Sequence, residues 1–437
     1  MDDIALKLNP TAIPHGTRTY IFEEAAHKRF LEDTIHLVLR SRGFQEIVTP
    51  PFEYHESAVI GLNEDERNRL IGFSEGDSGR RIALRADITS QVARSTATHL
   101  SERPFPLRLC YTGMVFRHAR KGHGEQYVLN QSGFEVMGHA GFEADIEVIM
   151  SLTDTMWEIG LTEFSISLGH AGFIDDHLEG LEESVCEKVR NALVKKDKGG
   201  IKEILSSASV SADKIDSIVT LTELYGDAEV FEKAASLPLG ERSRSALENL
   251  KSIYDALDAA GLGDRVTIDL GEMRGFGYYT GMNIELFSQG GLPIGTGGRY
   301  DNLVGRFGSD MPAVGFGFDI DALAETLRSA TSSDETLAVP PVWRGSDVLI
   351  LGKGEEVENA AADMREAGVM VTRPLVEINE EEAITFAEKM TIPHILVLAK
   401  GSGKSVAGYK WISEEGTKAD TTIESFLDNF FALDIGE

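Results

Sequence analysis

Four short stretches of this sequence concentrate side chains able to bind a small polar ligand. In residues 84–94 (LRADITSQVAR), Asp87 stands just before Thr89 where a helical pattern begins. Thr89 reads as the N-cap, so a carboxylate, a hydroxyl and free backbone N–H groups converge there. Taken alone, an ordinary helix cap explains that stretch. In residues 128–137 (VLNQSGFEVM), Gln131, Gly133 and Glu135 share one strand face by the period of two. That face is either solvated or the floor of a polar pocket, in which Gly133 would leave room for a ligand. Residues 269–281 (DLGEMRGFGYYTG) set Arg274, Tyr278 and Tyr279 among glycines, which suits a backbone that approaches a ligand closely. Residues 295–301 (GTGGRYD) and 312–318 (PAVGFGF) are glycine-dense strands, costly unless something packs against their backbone.

The elements that must position these residues follow from periodicity. Residues 22–42 repeat apolar side chains at helical spacing and end at Gly43. Strand-like runs follow at 44–52, 81–84, 107–116, 127–138, 164–168, 266–270, 283–287 and 313–318. Few helices separate the consecutive strands between 107 and 138, which predicts hairpin pairing and an antiparallel sheet of an α+β fold. Residues from about 172 to 262 read as a helical insertion within a first domain of 1–330. A Ser-, Thr- and Pro-rich linker (331–345) leads to 346–437, where strands and helices alternate as in a small α/β domain with a mainly parallel sheet.

Composition narrows the class of protein. The 437 residues are 42% hydrophobic, ample for more than one core, and 71 acidic against 42 basic side chains set the net charge at −29. Such a chain repels phosphate backbones at long range, although a local basic groove would escape that argument. Cys110 and Cys186 cannot build a disulfide framework, and no His, Cys and carboxylate spacing suggests a metal. No apolar run reaches the ~18 residues of a membrane span, and the expected compartment is the cytoplasm. The Lys400–Ser405 patch lacks the first glycine of a P-loop, because Leu398 occupies that position; a hairpin turn fits it better.

In this order, the four stretches resemble the catalytic core of histidyl-tRNA synthetases and their synthetase-like paralogues, over residues 10–327. GFQEIVTPPFE (43–53) resembles motif 1 of class II synthetases, which builds their dimer interface; RGFGYYTG (274–281) and GGRYDNLVG (297–305) resemble the two histidine signatures. The resemblance implies a class II synthetase-like sheet with flanking helices and a C-terminal anticodon-binding-like α/β domain. It also implies a histidine pocket of Asp87, Thr89, Arg117, Gln131, Glu135, Arg274, Tyr278 and Tyr279. Asp87 and Gln131 would receive the ammonium, Glu135 and a tyrosine hydroxyl the imidazole, and Arg274 the carboxylate.

The sequence departs from the synthetase pattern where ATP should bind. Arg117 remains from motif 2, but Glu125 and Tyr127 stand where the following loop carries arginines. Ala322 replaces the motif 3 arginine, and Asp319 the glycine three residues before it. Each lost charge-assisted phosphate contact is worth about 1.5–3 kcal/mol. LRAD carries Asp where synthetases use Glu, and Gly277 replaces an Asp. The acidic stretch 376–389 also suits an anticodon poorly. The resemblance therefore implies the non-synthetase branch, the regulatory subunits of ATP phosphoribosyltransferase. These work without cofactor, tRNA or membrane, with histidine as effector. Their partners are a short-form catalytic subunit in a hetero-octamer and a second copy across motif 1. An active histidyl-tRNA synthetase and a stand-alone histidine-binding module remain the alternatives.

Overall fold

The computed structural model describes residues 11–119, 126–271, 278–333, 345–398, 409–413 and 418–434. Arg274 and Gly277, Glu125, most of the 331–345 linker and the Lys400–Ser405 turn lie outside the described residues. The chain divides into two compact units, one of residues 28–337 with the N-terminal 1–19, the other of 338–437 with 20–27.

The first unit is organised by a nine-stranded sheet. In chain order its strands are β1 (Gln45–Glu46), β2 (Leu107–Phe116), β3 (Val128–Met137), β4 (Phe164–His170), β5 (Tyr225–Gly226), β6 (Val266–Asp269), β7 (Met282–Ser288), β8 (Pro293–Arg299) and β9 (Ala313–Asp319). They lie in the order β1-β2-β3-β9-β8-β7-β4-β6-β5. The sheet is mixed rather than purely antiparallel: β1 pairs β2, and β4 pairs β6, in parallel. Parallel neighbours need a long crossover, and long helix-bearing connections separate both pairs in the chain.

Strand alternation gives the sheet two unlike faces. Phe134, Phe316 and Phe318 belong to the large core with Leu31, Ile35 and Leu39 of the helix Phe22–Ser41 and Val148, Leu152 and Met156 of the helix Phe142–Glu158. Phe134 and Phe316 are cross-strand partners, and Phe316 meets Phe318 edge to face at 4.9 Å. Fully burying each such side chain contributes about 1.5–3 kcal/mol. The intervening residues are Gln131, Gly133 and Glu135 on β3, registered against Asp319, Gly317 and Gly315 on β9. These six positions carry no apolar side chain, whereas Met137 and Ala313, next along the same face, join a second core with Leu109 and Val115.

Six helices from Ala171–Leu178 to Glu241–Ala259 follow β4, interrupted by β5. Their apolar residues, among them Ile174, Val189, Leu193, Leu250 and Ile253, join the same core as the sheet. Here the helical segment is an extension of the main core.

The second unit holds a five-stranded sheet in the order Val371–Thr372, Val348–Leu351, His394–Leu398, Tyr409–Ser413, Lys418–Thr421. Its first two pairings are parallel and its last two antiparallel, so the sheet is half parallel rather than mainly so. The final two strands follow each other directly and pair as a hairpin. The acidic run expected on a helix opens the helix Glu380–Met390. There Asn379 and Glu382 form a capping box at 2.9 and 3.0 Å, and three glutamates face the positive end of the helix dipole. Among the described residues no helix is long and apolar enough to cross a membrane.

Candidate functional site

Asp87 closes the turn between the strand Arg80–Leu84 and the helix Thr89–His99. Ile88, not Thr89, is the residue before the first helical turn, and its side chain makes no cap hydrogen bond. The capping role falls instead to Asp87, whose carboxylate accepts from the backbone N–H groups of Thr89 and Ser90. Thr89 is thereby left free to turn its hydroxyl toward the sheet, where it donates to Glu135 Oε1 at 2.8 Å. Two further donors complete the Asp87 surroundings, Gln131 Nε2 at 3.3 Å and the Tyr278 hydroxyl at 3.3 Å. Burial pushes the Asp87 carboxyl up; the Arg117 charge, Gln131 and the two backbone N–H groups pull against it.

Glu135 sits nearby on β3 with 1% of its surface exposed. Three hydroxyls surround its carboxylate: Thr89 and Tyr111 on Oε1, the latter at 3.0 Å, and Tyr300 on Oε2 at 2.5 Å. Loss of water outweighs these donors and pushes the Glu135 carboxyl up to about 8. Burial also holds Tyr111, Tyr278 and Tyr300 well above the usual phenol range, so all three stay protonated as donors.

The glycines of this face make room for the carboxylate and the phenols. A Cβ at Gly315 would lie 1.5 Å from Glu135 Oε2, and one at Gly133 would lie 2.5 Å from the Tyr111 hydroxyl. Gly133 thus accommodates Tyr111, its cross-strand partner on β2, rather than opening space for a ligand. Tyr278 stacks edge to face between Tyr279 and Tyr300, at 5.2 and 5.5 Å.

Together Asp87, Thr89, Gln131, Glu135, Tyr278, Tyr279, Thr296, Tyr300 and the glycine strands line one small polar cleft. Its free space is about 20 Å³, far below the ~300–1,000 Å³ typical of sites for drug-sized ligands. No Lys or Arg is among the described residues that line it. Two buried carboxyls without a lining cation favour a ligand that brings positive charge and N–H donors.

Six of the eight residues assigned from sequence therefore converge. Arg117 is not among the lining residues: its Nε donates to the Ala86 carbonyl at 2.8 Å, and its charge acts on Asp87 and Asp319. Arg274 lies outside the described residues. Sequence reasoning missed Tyr111, Tyr300 and Thr296. Tyr300 was visible inside GGRYD, and Tyr111 faces Gly133 only through the β2–β3 register. Arg299 of the same motif is structural, pairing with buried Asp145 at 2.8 Å and bonding the carbonyls of His139 and Gly141.

At the end of β9, Asp319 accepts the N–H groups of Asp321 and Ala322 at 3.0 Å each, capping the helix Ile320–Ser333. Asp321 in turn accepts from the backbone and amide of Asn130.

Residues 16–323 match the family model described as histidyl-tRNA synthetase. A histidyl-tRNA synthetase from Nostoc shares the fold at a TM-score of 0.79 and 22% identity, covering 97% of this chain and 99% of its own. The class is therefore that of class II synthetase-like proteins. Within it, regulatory subunits of ATP phosphoribosyltransferase from Syntrophotalea carbinolica and Geobacter sulfurreducens are each 34% identical; the alignments cover 90% and 88% of this chain and 91% and 88% of theirs. A crystal structure described as an ATP phosphoribosyltransferase regulatory subunit/histidyl-tRNA synthetase from Bacillus halodurans superposes at a TM-score of 0.75 with 27% identity, covering 87% of this chain and 97% of that one. This chain belongs to the histidyl-tRNA synthetase-like family of ATP phosphoribosyltransferase regulatory subunits.

Proposed function

We propose that this chain is a non-catalytic regulatory subunit that joins a short-form ATP phosphoribosyltransferase catalytic subunit in the cytoplasm, and that histidine, as feedback effector, binds the cleft. The observation that carries the histidine assignment is the pair of buried carboxyls, Asp87 and Glu135, in one small cleft with no lining cation among the described residues. Asp87 and Gln131 would hold the ammonium, and Glu135 with a tyrosine hydroxyl the imidazole nitrogens. Arg274, with Arg117 behind the cleft, would meet the carboxylate. Thr89 and Tyr279 would frame the ligand. Histidine would inhibit the complex by binding one quaternary state better than another, and its effect is capped by that difference in affinity.

The absence of synthetase chemistry rests on the phosphate side. A helix N-terminus attracts phosphate through its free N–H groups. Here Asp319 occupies those of Asp321 and Ala322 with a carboxylate of this chain, beside the further charge of Asp321. Ala322 offers no cation in return. The acidic helix Glu380–Met390 argues against tRNA in the same way. Homodimerisation through the motif 1 segment draws support from its exposed apolar side chains: Val48 is 84% exposed, and Phe52 is also exposed. Two such pairs with catalytic subunits would complete a hetero-octamer.

Purified chain mixed with the short catalytic subunit tests the reading. Phosphoribosyl transfer and its inhibition by histidine should both require the mixture. Charging of tRNA with histidine and ATP by the chain alone would overturn it.

A further inference from the structure

The helical insertion carries a groove far roomier than the cleft. The helices Glu229–Ala235 and Glu241–Ala259 are joined by residues 236–240, and Phe231, Ala235, Leu237, Leu239 and Leu247 line the trough between them. Its free space is about 490 Å³. The floor is the edge of the main core: Phe231 and Leu247 are 6% and 7% exposed, and Leu237 and Leu239 pack against that core. Its banks are charged. Glu232 stands on the first helix; Arg244, Glu248 and Lys251 stand on the second at i, i+4 and i+7, one helix face. Lys251 is paired within its helix to Asp255 at 2.7 Å. Glu232, Glu248 and Arg244 have no ion-pair partner among the described residues, and Arg244 donates to the Leu239 carbonyl at 3.4 Å, beside the end closed by 236–240.

The groove is built in advance and stands apart from motif 1. Asp176 accepts the backbone N–H of Ser243 at 2.8 Å, and Ser243 Oγ donates to the Phe173 carbonyl at 2.7 Å, which fixes the start of the second helix. A preformed groove spares a partner the cost of ordering it. Strand β5, one edge of the nine-stranded sheet, ends shortly before the helix Glu229–Ala235, whereas β1, close to Val48 in the chain, is the opposite edge. The eight strand spacings between them span about 38 Å. A regulatory subunit must hold two neighbours, and a copy docked at the motif 1 edge leaves this groove open. We propose that the groove is the docking site for the short-form catalytic subunit, which lays an amphipathic helix in it. An apolar stripe meets the floor, Lys or Arg on both flanks meet Glu232 and Glu248 on opposite banks, and the negative C-terminal end of that helix meets Arg244. The charged bank from Arg244 to Lys251 runs about 10 Å, two turns of an opposing helix, which favours a helix over a small ligand. The proposal rests on the regulatory-subunit reading and gives the insertion the task of holding the catalytic partner.

Sedimentation of the full-length chain with the short-form catalytic subunit tests it, using wild type, Ala235→Arg and the double variant Glu232→Lys/Glu248→Lys. All three positions are exposed, so thermal midpoints should stay near wild type. Wild type that forms no complex overturns the regulatory-subunit reading, and this proposal with it. Given a wild-type complex, each variant should weaken it about tenfold or more. Wild-type association should also weaken with salt, and that of the double variant should not. Affinity within about twofold of wild type in either variant would overturn the groove assignment while the regulatory reading stands. Variants that lose self-association yet keep the catalytic subunit would overturn it too, because the occupant would then be a second copy.

Discussion

Tyr300 reaches across β9 to donate its hydroxyl to Glu135 Oε2 at 2.5 Å, two strands away in the sheet. Only glycine at position 315 permits the approach, because a Cβ there would lie 1.5 Å from the same oxygen. The acid that defines the cleft is thus held by a residue from one motif through a gap left by another.

Tyr300→Phe removes one of three donors to Glu135 while keeping the ring packed against Tyr278. The carboxyl should then rise further above about 8, and histidine affinity should fall about five- to tenfold by calorimetry, the net worth of one hydrogen bond.

Gly315→Ala should be more damaging. The added methyl has no room unless Glu135 leaves its hydroxyl nest, at a cost of about 1–3 kcal/mol in urea unfolding. Histidine binding should be lost with it. A variant with wild-type midpoint and affinity would contradict this packing.

Glu135 also sets a pH dependence. Its folded-state value of about 8 exceeds the ordinary glutamate value, so the folded protein binds the extra proton and stability falls as pH rises through that window. Asp145, raised to about 6, acts in the same direction at lower pH, and His170, lowered to about 4, opposes it there. From about pH 6.5 to 8.5 Glu135 dominates among these three. Wild type should lose stability across that range more steeply than Glu135→Gln, as measured by denaturant midpoints.

Arg299→Met tests the structural reading of GGRYD. It strands Asp145, 1% exposed, without its cation and should destabilise the fold by about 3–5 kcal/mol. Because Arg299 lies outside the cleft lining, any protein that still folds should bind histidine with near-normal affinity.

The candidate site was legible in sequence wherever period and residue type sufficed. Gln131, Gly133 and Glu135 fall on one face because a strand alternates, and Tyr278 and Tyr279 stood out among glycines. Thr89 was placed correctly in space but misread in role, since local spacing cannot show that Asp87 caps the helix and frees the hydroxyl. Gly133 was misread for a related reason: Tyr111 lies 22 residues earlier and meets it only by register.

By itself the sequence determined the α+β class, the order of the strands along the chain and the family, because those depend on local periodicity and on motifs that each lie within a few residues. Tertiary structure decided the parallel pairings at β1–β2 and β4–β6, the hydroxyl nest around Glu135 and the structural duty of Arg299. Each of these needs residues far apart in the chain to meet, and such meetings are fixed by sheet register and by packing around the core. Glu135 shows the difference most plainly: its position in the pattern marked it as polar on a strand, but its acidity depends on burial beneath Tyr111, Thr89 and Tyr300, which only the folded chain brings together.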